Sequence, residues 1–302
     1  MNVSPAPNRP AVGMFWMLSA GLCFVVMTAL VKSLGTTMNP IQAAFLRFVF
    51  GLVFLLPALQ AIRATQLTPR LLTLFGLRGV VHALAVMLWF FAMTQIPLAE
   101  VTAMNYMTPI YVTLGAALFL GEKLAFRRIA AIGVALIGVL IILRPGFREV
   151  SIGHLAMLGT ALMLGASYLL AKLLVRDVKP AVVVAYMSIW VTIVLIPFAL
   201  AVWVQPSLRD LAVLFLVASF ATAGHYFMTL GLQAAPVAVT QPVTFLQLIW
   251  ATALGALVFH ESVDIWVVAG GTVIVAAVSF ISWREARLNR KAVTPPDVET
   301  KF

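Results

Sequence analysis

The chain has 302 residues, of which 63% are hydrophobic and 10% charged, and its mean hydropathy is +1.06. A soluble protein of this length shows water far more polar surface, so the solvent of this chain has to be lipid. Its net charge of +10 does not point to nucleic acid, because the basic residues gather at the ends of apolar segments, where positive charge orients membrane helices.

Residues 1–11, with three prolines and one arginine, read as a cytoplasmic leader. The apolar segment 12–34 is long enough to cross about 30 Å of hydrocarbon and too long for a signal-peptide core. Cys23 lies inside it as the single cysteine, so no disulfide forms within the chain. Further apolar segments follow at 41–62, 72–94, 98–120, 126–143, 152–174, 181–204, 211–232, 237–259 and 265–283. Turn formers bound them, among them Pro69, Pro97, Gly121, Pro145, Pro180, Pro206 and Pro236. Residues 284–302 form a basic tail. The expected fold class is all-α integral membrane with ten transmembrane helices, and the short loops leave function to the helix bundle itself.

The stretch 97–124 recurs at 236–263 under a shift of 139 positions without a gap. Pro97, Ala99, Ile110, Thr113, Ala117, Leu118 and Glu122 are matched by identical residues, and Tyr106 and Tyr111 by Phe245 and Trp250. The spacing divides the chain into two copies, 12–143 and 152–283. With the amino terminus inside, fourteen of the 20 lysines and arginines fall on inner loops and tails, against Lys32, Arg144, Arg148 and Arg209 outside, which favours cytoplasmic termini. Five helices per copy is an odd number, so the second copy inserts upside down. Such inverted repeats are a common construction of secondary transporters.

Within the recurring stretch, Thr102, Asn105 and Thr108 share one helical face and map onto Gln241, Thr244 and Gln247. Each side chain alone fits helix–helix glue, but the matched pair of faces favours a substrate cavity, since amides facing lipid are penalised. Pro109 predicts a kink, and Pro242 offers one in the second copy. Arg47 fits either an interfacial anchor or a partner for an anionic substrate group, and Glu100 either its counter-ion or an interfacial charge. Arg78 reads as shallow enough to snorkel to the inner surface. His82 and His225, near mid-span, fit proton carriers or structural hydrogen-bonded residues. Trp89, Tyr168 and Tyr226 fit aromatic cavity walls or packing. Glu122 and Glu261 read as structural carboxylates that bind a neighbouring helix's amino terminus.

The run from Pro97 through Pro109 to Gly121-Glu122-Lys123-Leu124, then 129–143 with Gly133 and Gly138, resembles the EamA domain of the drug/metabolite transporter superfamily. The second copy is similar through Pro236, Glu261 and Gly270-Gly271, and Arg47 matches a frequent feature of such domains. The resemblance implies ten helices, a central cavity formed mainly by helices 1, 3, 4, 6, 8 and 9, and alternating access. It also implies substrates such as amino acids, opine-type metallophores, riboflavin, nucleotide-like compounds or S-adenosylmethionine. The second copy departs from the pattern with His260 where glycine is usual and Leu248 where Pro109 would recur.

The expected function is therefore an inner-membrane secondary transporter that exports a small polar or zwitterionic metabolite, with import of a vitamin or nucleotide-like compound as the alternative. A polytopic membrane enzyme is disfavoured, because no HExxH, paired aspartates or nucleophile setting occurs. The lack of a GxxxxGK[ST] loop sets ATP-driven transport aside. No catalytic residue, cofactor, metal or nucleic-acid partner is expected; the partners are a small-molecule substrate and the lipid bilayer, and both a monomer and a homodimer fit.

Overall fold

The computed structural model describes residues 10–293 except 36, 57–58, 121–125, 148, 175–176, 235–242 and 244–245. The elements are α1 (Pro10–Ser33), α2 (Pro40–Val53), α3 (Leu59–Arg63), α4 (Pro69–Gln95), α5 (Leu98–Asn105) and α6 (Thr108–Leu120). They continue with α7 (Phe126–Leu143), α8 (Ile152–Leu174), α9 (Pro180–Ala201), α10 (Leu208–Ala234), α11 (Leu246–Val258) and α12 (Ile265–Val293), and no strand occurs among the described residues.

Local chemistry starts and stops these helices. The Asn39 side chain accepts from the Ile41 amide at 2.9 Å and Thr68 from the Leu71 amide at 3.3 Å, each just ahead of a proline at the first helical position. Among the described residues, five helices are long and apolar enough to cross a membrane: Ala11–Ser33, Pro69–Gln95, Ile152–Ala171, Val182–Ala201 and Leu208–Met228. Two segments expected to be continuous are divided. Residues 41–62 give α2 and α3, with Pro57 in the interval. Residues 98–120 give α5 and α6, because Pro109 has no amide to offer Asn105; the Tyr106 and Met107 amides instead bond three residues back, to Ala103 and Met104 at 3.3 and 3.0 Å. α12 runs on past the apolar segment into the basic tail, as far as Val293.

The two copies are related by their packing. Under the repeat alignment α1 corresponds to α8, α2 to α9, α4 to α10, α5 with α6 to α11, and α7 to α12. In contact are α1 with α10 and α4 with α8, α2 with α10 and α4 with α9, and α1 with α11 and α6 with α8. Exchanging the copies turns the first member of each of these sets into the second, while α2·α9, α5·α11 and α7·α12 turn into themselves. Counterparts also run in opposite directions. Lys32 at the carboxyl end of α1 bonds the Ile96 carbonyl at 3.0 Å, and Gly153 at the amino end of α8 lies against Gln95 and Ile96. Single contacts repeat too: Tyr111 packs on Gly165 of α8, where an added Cβ would fall 2.8 Å from the tyrosine Cβ. Its repeat partner Trp250 packs on Gly21 of α1, at 3.3 Å.

Small and apolar side chains fill the interior, with Ala83, Ala103, Phe90, Met104, Met107, Ile110 and Leu195 buried around the contacts of α4, α5 and α9. Outward stand Leu22, Leu84, Ile137, Leu140, Ile196, Phe198, Leu216 and Ile249, all exposed. A surface this apolar on several helices is one that hydrocarbon covers.

Candidate functional site

Between the copies lies a cavity of about 200 Å³, walled by α1, α2, α4, α5, α8, α10 and α11. It gathers Thr102, Asn105, Gln247, Trp89, Tyr168, Arg47, His82 and His225, together with Phe24, Thr28, Phe90, Tyr106 and Thr160. Gln247 reaches it over Gly21, where a Cβ would lie 3.1 Å from the glutamine Cγ, so a side chain there would push Gln247 aside.

Three expected members, and the arginine expected to snorkel, are placed elsewhere or differently. Thr108 is buried outside the cavity, its Oγ1 at 3.5 Å from Asn105 Oδ1, because the break after Asn105 takes it out of register with the face it was expected to share. Tyr226 is 62% exposed on the outside of α10 beside Phe227; one residue along a helix turns the side chain by about 100°, so it points away when His225 points in. Glu100 is not the counter-ion of Arg47. It is 3% exposed, and its Oε2 stands 2.5 Å from His154 Nε2 on α8. Arg78 does not snorkel: it lies about 13 Å along α4 from Pro69, is 5% exposed, and donates from Nη1 to the Val183 carbonyl at 2.9 Å. Gln241 and Thr244 lie outside the described residues, as do Glu122 and Pro242.

The polar groups of the cavity are predominantly cationic or neutral. The Arg47 guanidinium stands 4.3 Å from the centre of the Phe48 ring and has no hydrogen bond or ion pair to any described residue. His82 Nδ1 is 3.1 Å from Ser167 Oγ, and its ring meets Phe48 edge to face at 6.0 Å. His225 meets Phe24 in the same manner at 5.1 Å. Arg47 and Arg78 are close enough to His82 and His225 to act on both electrostatically, and among the described residues no carboxylate lines the cavity.

The carboxylates are instead at one end of the bundle. Glu261 pairs with Lys32 and accepts the Leu98 amide at 3.0 Å, so it satisfies a free donor at the amino end of α5. The Ser151 amide donates to His154 Nδ1 at 3.0 Å, which leaves the imidazole proton on Nε2 for Glu100. Arg144, at φ 43, pairs with Asp264 and lies over Trp266. Each of these three pairs joins a residue of the first copy to one of the second. At the opposite end the described residues offer a single, exposed pair, Arg70 with Asp177 at 3.2 Å.

Sequence reasoning missed several of these partners. Gln42 is fully buried and clamps both the amide and the carbonyl of Val204, at 2.9 and 2.6 Å. Its position in an apolar helix was the available signal, since a buried amide demands partners. His154 had no such signal, because its meaning depends on Glu100, 54 residues away.

The EamA-like transporter family matches residues 11–144 and again residues 151–283. A riboflavin transporter of Rhizobium johnstonii is 31% identical, covering 94% of this chain and 95% of the relative. An S-adenosylmethionine uptake transporter of Rickettsia prowazekii is 24% identical over 91% of this chain and 94% of its own. The pseudopaline exporter CntI of Pseudomonas aeruginosa is 28% identical over 88% and 94%. A solved crystal structure superposes with a TM-score of 0.61 at 18% identity, covering 91% of this chain and 99% of that one, a likeness of fold. With both halves matched from end to end, the chain belongs to the EamA-like transporter family and is a multi-pass membrane transporter of the drug/metabolite type rather than an enzyme.

Proposed function

We propose that the chain is an inner-membrane secondary transporter that moves a small polar or zwitterionic metabolite by alternating access. Its ten crossings form two inverted five-helix repeats with both termini cytoplasmic. The observation that carries this reading is the position of the cavity: it lies between two antiparallel copies, and the two ion pairs and the Glu100–His154 hydrogen bond at one end all bridge them. Rocking one copy against the other would break those pairs and open that end, which the distribution of basic residues makes the outer one.

Thr102, Asn105 and Gln247 hold the polar part of the substrate, with Gln241 and Thr244 as their repeat counterparts, and Trp89 and Tyr168 flank its flat or apolar part. His82 and His225 are the candidates for carrying a coupled proton. Export is the first reading and is supported by the likeness to a pseudopaline exporter; uptake is the second, favoured by the likeness to S-adenosylmethionine uptake transporters. Metabolite profiling of medium and cytosol from cells lacking the gene, complemented with wild type or Gln247→Ala, tests both. A compound retained inside and lost from the medium establishes export, and a medium component no longer consumed establishes uptake. Full complementation by Gln247→Ala removes that residue from the site.

A further inference from the structure

We propose that the cavity selects substrates carrying an acidic group, a carboxylate or a phosphate, on a flat or apolar body, and that Arg47 binds that group. The inference rests on the cavity being the transport site.

Arg47 lines the cavity from α2, and its guanidinium has no hydrogen-bonding or ionic partner among the described residues. The carboxylates whose side chains are described are placed elsewhere. Glu100 is at His154, Asp177 at Arg70, Asp210 at Ser207 and Thr37, Glu261 at Lys32 and Asp264 at Arg144, while Glu149 is exposed. Among the groups that share its electrostatic surroundings, Arg78 is a second cation and His82 and His225 offer no negative charge, so none of them neutralises it. A cation left without a counter-charge in the middle of a membrane bundle is costly to fold around. An arriving oxyanion supplies the missing partner, and the planar guanidinium takes carboxylate or phosphate through two parallel hydrogen bonds. The same cavity is lined by Phe24, Trp89, Phe90 and Tyr168, which suit a ring or an apolar chain.

The test is calorimetric titration of the purified full chain in detergent with two pairs of compounds that differ in the acid: flavin mononucleotide against riboflavin for phosphate, and tryptophan against tryptamine for carboxylate. The expected result is that the acidic member of at least one pair binds roughly tenfold to a hundredfold more tightly. That preference is abolished in Arg47→Gln and partly kept in Arg47→Lys, which retains the charge without the fork. Because Arg47→Gln gives up only the contact with the Phe48 ring and relieves a charge with no hydrogen-bonding or ionic partner among the described residues, its ligand-free melting temperature should equal or exceed that of wild type. Equal or weaker binding of both acids, no binding of either, a preference that survives Arg47→Gln, or a lowered ligand-free melting temperature in that variant would each overturn the proposal. Counterflow in proteoliposomes with the tightest binder separates this from the transport reading. Movement of a neutral compound without acid preference sinks only the anion site, whereas acid preference without any counterflow sinks only transport.

Discussion

His260 holds a φ of 53°, a left-handed backbone that costs a residue with a Cβ about 1–2 kcal/mol. This explains physically why glycine suits the position before the terminal glutamate of the repeat. His260→Gly is expected to raise the melting temperature by the equivalent of about 1 kcal/mol, measured by circular dichroism in detergent. Next to it, Glu261 ties Lys32 to the first amide of α5, and both side chains are largely buried. Glu261→Gln leaves the lysine without its counter-charge and should lower stability by about 1.5–3 kcal/mol, read from denaturant unfolding. At this scale the sequence was informative in part. The repeat marked Glu261 as a carboxylate for a neighbouring helix's amino end; only the structure identified that helix as α5 and added Lys32. Likewise, His225 and Tyr226 were both visible as polar or aromatic residues on one helix, but which of the two faces inward depends on how α10 is rotated against α1 and α2.

Pro109 acts on an element rather than a residue. Its missing amide divides the fourth apolar segment into α5 and α6, so that Asn105 lines the cavity while Thr108 is buried behind it. Restoring the amide with Pro109→Ala should straighten the segment, turn Thr108 toward the face of Thr102 and Asn105, and disturb the seat of Tyr111 on Gly165. Transport is expected to fall severalfold while the helix content by circular dichroism stays level or rises; unchanged transport would show that the kink is dispensable. Gly165 can be probed directly. Gly165→Leu places a side chain where Tyr111 Cβ is already 2.8 Å from a Cβ position, so about 1–3 kcal/mol of destabilisation is expected in the same unfolding assay.

For the whole molecule, the main contacts between the copies repeat when the copies are exchanged, and one end of the bundle is closed by Lys32–Glu261, Glu100–His154 and Arg144–Asp264. If transport requires this end to open, locking it must stop transport without unfolding the chain. Lys32→Cys with Glu261→Cys, in a Cys23→Ser background and joined by a short bifunctional thiol reagent, should lose transport in proteoliposomes relative to the unjoined double variant. Continued transport in the joined form would rule out opening at this end.

The sequence by itself determined what is local or periodic. Apolar run lengths identified a membrane protein, prolines and glycines marked the helix ends and a kink at Pro109, and the 139-residue shift revealed the duplication. These signals need no knowledge of the partner across the bundle. The tertiary structure decided which polar side chains meet in the cavity and which are paired outside it. Glu100 with His154, Lys32 with Glu261, and Arg47 with no described counter-ion all follow from helix rotations and from contacts between distant parts of the chain. Helical periodicity says which residues share a face, but a helix hydrophobic on nearly every side gives no direction to that face, so only packing against its neighbours sets it.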